Sequence, residues 1–253
     1  ARRGICACNL GGRCVVSFRG QTVLVVGGSS GLGRATAAAF LAAGATVWIA
    51  SRSVEKLDGA MERLGGGEHL RSLALDMTVP EDVDRLAAQF AGGLDHVVIS
   101  ASQAAHGAFA ELAVDAVEAM FASKLFGPYR VTQALLPMMR AGGSITYFSG
   151  VLSRRPGRNV AGLAAVNAAV EGLTRALALE LGPDVRVNCV SPGMVGTEAY
   201  ALMPEERRAA MLSETGASLP VGRTGTPAEV ADAVLLLAGI GYITGHVIDV
   251  DGG

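Results

Sequence analysis

The glycines carry the most legible chemistry in this chain. Val23-Leu24-Val25-Val26 is an apolar, β-branched run, and Gly27-Gly28-Ser29-Ser30-Gly31-Leu32-Gly33-Arg34 follows it directly. The next residues, Ala35-Thr36-Ala37-Ala38-Ala39-Phe40-Leu41, have helical composition. Strand, glycine turn and helix in this order set backbone N–H groups and a helix N-terminus against a phosphate. One glycine permits a turn with φ > 0, one lets a diphosphate approach the backbone, and one lets the helix pack close to the strand. Taken alone, the turn also fits a plain strand–helix connection. The cysteines offer less. Cys6, Cys8 and Cys14 crowd the N-terminus, and Cys189 lies in the body. Their spacing lacks a fourth metal ligand and any nearby His, so no metal site is expected.

The elements that position the turn alternate. Strands are predicted at 22–26, 46–50, 70–75, 95–100, 144–148, 185–190 and 247–250. Helices are predicted at 33–43, 54–64, 81–90, 114–121, 126–139, 163–181, 205–212 and 228–237, with Pro80 opening the third. Strands apolar on both faces, each followed by a helix, imply an α/β fold: a doubly wound, Rossmann-type parallel sheet in three αβα layers. No linker divides the chain, so residues 19–253 are expected to form a single domain. Residues 1–18 read as an N-terminal extension, expected to be disordered, without the apolar run of a secretory signal.

The 253 residues carry 21 Lys and Arg against 23 Asp and Glu, a formal net charge of -2. That balance excludes a phosphate backbone as the natural partner, so no nucleic acid is expected. No apolar run approaches a membrane span. An isolated body cysteine makes no disulfide framework, and a reducing, cytoplasmic location follows. The mean hydropathy of +0.39 is explained by Ala-rich helices buried against a sheet or other subunits.

Further motifs follow the turn in order. Val26-Gly27-Gly28-Ser29-Ser30-Gly31-Leu32-Gly33 matches T-G-x-x-x-G-x-G, with Val26 where Thr is usual. Arg186-Val187-Asn188-Cys189-Val190-Ser191-Pro192-Gly193 matches R-V-N-x-x-x-P-G, Gly222 to Val230 matches the lead into the last long helix, and Tyr242 to Gly253 matches Y-I-T-G-x-x-x-x-V-D-G-G. From residue 21 to 253 the chain thus resembles the short-chain dehydrogenase/reductase family. The resemblance implies a dinucleotide held by Gly27, Ser29, Ser30, Gly31, Leu32 and Gly33. Asp76 would pair with the adenine, beside Met77. The loop Pro192-Gly193-Met194-Val195-Gly196-Thr197 would orient the carboxamide and reach the diphosphate. The family's N-N-A-G becomes Ile99-Ser100-Ala101-Ser102, which retains Ala101 and loses the asparagine that ties the fourth strand to its neighbours. The second strand ends in Ser51-Arg52 where an NAD-binding member carries an acid, so NADP(H) is favoured: a guanidinium pairs with a 2′-phosphate.

The same resemblance implies a Tyr proton donor with Lys, Ser and Asn. Those positions fall here on Leu163, Asn167, Gly150 and Lys124. Leucine donates no proton, so the family's ordinary route does not run. The polar residues that remain are Lys124, which projects toward the space of the missing lysine, Asn167 for the nicotinamide ribose, Ser149, and Arg155 for an anionic substrate. Ser149 is one residue from the usual Ser, and strand alternation turns it to the other side.

Three functions stay open. The first is an NADP(H)-dependent oxidoreductase acting on a small, moderately apolar carbonyl, enone or imine by a non-standard proton route. The second is a non-redox cyclase or isomerase on the same scaffold, and the third an NADP-binding pseudoenzyme. The segment 197–218, with Tyr200, Leu202, Met203, Met211 and Leu212, borders the substrate in the first two. A homotetramer or homodimer through the long helices is implied by the family.

Overall fold

The computed structural model describes residues 7–8, 14–101, 103–201 and 203–253. Cys6, Ser102 and Leu202, and the side chains of Cys8 and Cys14, lie outside the description. Seven parallel strands form the main sheet: β1 (Thr22–Val26), β2 (Thr46–Ser51), β3 (Leu70–Ala74), β4 (Leu94–Ile99), β5 (Met139–Phe148), β6 (Val185–Pro192) and β7 (Val247–Val250). Their order is β3-β2-β1-β4-β5-β6-β7. The direction of winding reverses between β1 and β4, which opens a crevice at the carboxyl ends of the strands. The connecting helices are α1 (Gly31–Ala42), α2 (Val54–Arg63), α3 (Pro80–Ala88), α4 (Val114–Phe121), α5 (Gly127–Leu135), α6 (Ala161–Glu180), α7 (Glu205–Ser218) and α8 (Pro227–Gly239). Among the described residues, no helix is long and apolar enough to cross a membrane.

Two-residue alternation explains why β1 is apolar throughout. Val23 and Val25 enter one core layer with Phe40, Ile49 and Leu237, while Leu24 and Val26 enter the other with Leu86, Val131 and Tyr147. Local chemistry starts two helices. Ser53 Oγ accepts from the Lys56 N–H at 3.2 Å, and Thr226 and Glu229 form a capping box at α8. Arg186, the first residue of the R-V-N motif, closes the far end of α8 by donating to the carbonyls of Leu237 and Ala238 at 2.7 and 2.6 Å.

Two differences from the predicted elements have local causes. The helix expected over 126–139 is α-helical to Leu135 and finishes in a 3₁₀ turn, Leu136–Met138, where Pro137 withholds the N–H that would continue the α ladder, and β5 starts at Met139. Between α4 and α5 the chain widens into a π-turn, Ala122–Phe126, in which the Gly127 N–H bonds the Ala122 carbonyl. Pro128 cannot donate to the Lys124 carbonyl, and the wider turn accommodates its ring. Lys124 therefore projects from a bulge.

Phe18, within the expected extension, is buried. Its N–H donates to the Ala43 carbonyl at 2.9 Å, and its ring meets Phe40 and His96 edge-on at 4.8 and 5.3 Å. His96 is held by Ser144 Oγ at 2.8 Å and Gln21 Oε1 at 3.0 Å, and burial lowers its pKa from 6.5 to about 4, with Asp95 opposing and Arg186 adding. Between those two pH values the unfolded chain takes up a proton that the folded chain refuses. Stability is full above pH 6.5 and is expected to fall by about 1.4 kcal/mol per pH unit toward pH 4. Denaturant midpoints across this range, compared with those of His96→Gln, test it: an equal slope in both proteins refutes the assignment.

Candidate dinucleotide and reaction site

The glycine turn is built by close approach. At Gly27, with φ +88°, a Cβ would lie 2.6 Å from the Ala101 nitrogen, and at Gly33 it would lie 2.2 Å from the Gly27 carbonyl oxygen. The start of α1 thus lies directly on the turn, with Leu32 packed against the core. Ser100 does the tying for which the family uses asparagine. Its N–H and Oγ both donate to the Val26 carbonyl, at 2.9 and 3.1 Å.

The other residues selected from the sequence follow the carboxyl ends of the strands. Ser29 Oγ donates to Ser51 Oγ at 3.0 Å. Arg52 is exposed at the end of β2, where its Nη1 donates to Gln103 Oε1 at 2.9 Å with the amide oriented to accept. Asp76 Oδ1 accepts from the Thr78 N–H and hydroxyl at 2.9 and 2.7 Å. The hydroxyl bond leads the effects that hold this carboxyl below its usual pKa, against burial, and Arg52 contributes. Met77 is buried beside Gly127. From the other side, Pro192 ends β6, the Gly193 N–H bonds the Val250 carbonyl at 3.0 Å, and Met194 Sδ accepts from the Tyr200 hydroxyl at 3.1 Å. Val195 is buried and bridges to Gly225. A Cβ on Gly31 would lie 3.6 Å from Thr197 Cβ.

The N-terminus of α1 has no cap of its own: the Ser30 side chain makes no capping bond, and the first turn holds no acid. The Gly31 N–H donates instead to Glu198 Oε2 at 2.9 Å, and Arg34 forms an ion pair with the same carboxylate. Sequence reasoning missed Glu198, since nothing local marks a residue 167 positions away.

The reaction end lies at the tip of β5. Lys124 Nζ donates to the Ser149 carbonyl at 3.0 Å, and burial lowers its pKa from 10.5 to about 8, with Cys189 opposing. Asn167 is 1% exposed; its Nδ2 lies 3.4 Å from the Gly150 carbonyl and its Oδ1 is buried without a partner. Leu163 is buried with Met120, Val160 and Val166. Lys124, Gly150 and Asn167 are therefore neighbours, as expected.

Two expectations for this end are corrected. The Ser149 hydroxyl does not serve the site, because alternation turns it to Glu171 Oε1 at 3.1 Å, and only its carbonyl meets Lys124. Arg155 is engaged by Asp251 at 2.6 Å, so its charge is already compensated. Tyr147, near in sequence, is no substitute donor: it is buried against Thr132, and burial raises its pKa.

Glu171 organises the surrounding loop. It accepts from Ser149 Oγ, from Ser153 Oγ at 2.6 Å and from Arg154 Nη1 at 2.7 Å, while Arg154 also reaches Ser191 Oγ at 3.0 Å and pairs with Asp249. The sequence held one signal for it. Leu163, Val166, Asn167, Val170, Glu171 and Thr174 share the buried stripe of α6, and a charge on such a stripe demands partners.

The fold and its glycine turn define a Rossmann-type dinucleotide-binding protein. Residues 26–253 match a family model described as Enoyl-(Acyl carrier protein) reductase. The chain belongs to the short-chain dehydrogenase/reductase family of oxidoreductases. It is 33% identical over 246 residues to the 3-oxoacyl-[acyl-carrier-protein] reductase FabG of Thermotoga maritima, covering 93% of this chain and 98% of that one. It is similar to a small-chain dehydrogenase solved in complex with NADPH (33% identity, TM-score 0.77, covering 92% and 97% of the chains). It is also similar to the MalC reductase/Diels-Alderase of Malbranchea aurantiaca (26% identity, TM-score 0.86, covering 93% and 96%).

Proposed function

We propose that the chain is an NADP(H)-dependent oxidoreductase that reduces a small, moderately apolar carbonyl, enone or imine, with Lys124 as the proton donor in place of the family tyrosine. The observation that carries this is the anion position at the start of α1, where the Gly31 N–H and Arg34 already hold a carboxylate. A helix N-terminus flanked by an arginine suits a diphosphate. The turn 27–33 and Thr197 would hold the diphosphate, Arg52 a 2′-phosphate, Asp76 the adenine, and Asn167 Oδ1 a ribose hydroxyl. When bound, the nicotinamide supplies a hydride.

The chain's own part is the proton. Lys124 in its ammonium form donates to the substrate atom that gains the electron pair, becomes a neutral amine, and is reprotonated from solvent. A pKa near 8 suits this exchange. The buried apolar cluster of Met120, Leu163 and Val166, with Leu152 packed against it, carries the position of the missing tyrosine, which supports an apolar substrate.

A second reading, non-redox cyclisation or isomerisation, is favoured by the leucine at the tyrosine position and by the likeness to a reductase/Diels-Alderase. A homotetramer or homodimer in the cytoplasm completes the proposal; the exposed apolar Val114, Phe126, Tyr129 and Leu179 on the long helices support the assembly.

Two measurements test these readings. Dinucleotide titration should show NADPH bound more tightly than NADH, and Arg52→Ala should weaken NADPH alone by about tenfold or more, as a lost charge-assisted hydrogen bond predicts. Equal loss for both dinucleotides removes Arg52 from the 2′-phosphate. Loss of nicotinamide absorbance with ketones, enones or imines supports reduction. Product formed without that loss supports the second reading.

A further inference from the structure

We infer that Glu198 is a resident competitor for the dinucleotide diphosphate, and that its side chain must leave the N-terminus of α1 before the dinucleotide can seat. This rests on the dinucleotide reading above and adds a restraint on that binding.

Three observations converge. First, α1 needs an anion and has none of its own: Ser30 makes no capping bond, the first turn lacks an acid, and Arg34 adds positive charge to the positive end of the helix dipole. Second, Glu198 supplies the anion from the loop after β6, through Oε2 to the Gly31 N–H and Oε1 to Arg34. Burial raises its pKa, but hydrogen bonds from backbone N–H groups and Arg34 outweigh burial and hold the carboxyl below its usual value, so it stays charged. Third, the Gly31 N–H that the carboxylate occupies belongs to the turn that the dinucleotide reading assigns to the diphosphate. A Cβ on Gly31 would come within 3.8 Å of Glu198 Oε2. A carboxylate and a diphosphate cannot share one N–H, and their like charges repel.

The carboxylate has somewhere to go. Arg63 and Arg208 line the same groove of about 770 Å³ as Arg34 and Glu198. Released from Gly31, Glu198 finds other guanidinium groups within it. Its side chain is 46% exposed, so replacing it leaves the core intact.

The test is NADPH affinity, measured by calorimetric titration on the full chain, for wild type, Glu198→Gln and Glu198→Ala. Both variants are expected to bind about tenfold more tightly, the combined scale of a helix-terminus charge and an exposed ion pair. Their melting temperatures without ligand should not rise, while the upward shift caused by NADPH should grow. Unchanged or weaker binding by both variants overturns the inference and makes Glu198 a neutral or supporting residue. Failure of wild type and variants alike to bind any dinucleotide overturns the functional proposal instead.

Discussion

Lys124→Met is expected to lower single-turnover reduction by about 10²- to 10⁴-fold, the usual contribution of a positioned proton donor. Wild-type turnover should be highest with the ammonium present and fall as pH rises through about 8, where burial has placed its pKa. In the oxidative direction the amine is the working form, and the profile reverses. Lys124→Arg is the sharper variant. Arginine keeps the positive charge but holds its proton at neutral pH, so it should be about as slow as methionine. If charge alone mattered, arginine would rescue. A methionine variant that turns over like wild type removes Lys124 from the chemistry. The π-turn gives the position its meaning, because it carries Lys124 to the Ser149 carbonyl at the end of β5.

Glu171→Ala should cost about 3 kcal/mol of stability, at the low end of breaking a buried charge pair, because Arg154 is partly exposed and keeps Ser191 and Asp249. For a chain of this length the melting midpoint should fall by about 6–12 °C. Glu171→Gln keeps the volume and a hydrogen-bond acceptor for the serines, so its loss should be smaller. Thermal unfolding of the three proteins decides: an unchanged midpoint in the alanine variant means that the Glu171 cluster does not hold the loop 149–154. The consequence for function is positional, since the Ser149 carbonyl that orients Lys124 belongs to this loop.

The glycine turn was legible in the sequence because its determinants are contiguous. An apolar strand, a glycine turn and a helix are decided by local sterics and by alternation along the chain. β1 and β7 have the predicted boundaries, and Gly27 and Gly33 sit where close approach forbids a side chain. The positions 124, 150 and 167 came from the resemblance to the family, and the fold sets them side by side at the end of β5. What a polar side chain does once there was a different matter. Alternation along the strand already turned the Ser149 hydroxyl to the other side, but only the tertiary structure supplied Glu171 as its partner. Arg155 carried the right charge, and Asp251 neutralised it. Glu198 and Glu171 gained their roles from partners 167 and 17 to 22 residues away. The sequence determined the parallel sheet and the glycine turn, because each follows from residue type and short-range spacing. Only the folded chain decided which charges are paired, because hydrogen-bond partners are chosen by proximity in space and by the cost of leaving a buried polar group alone.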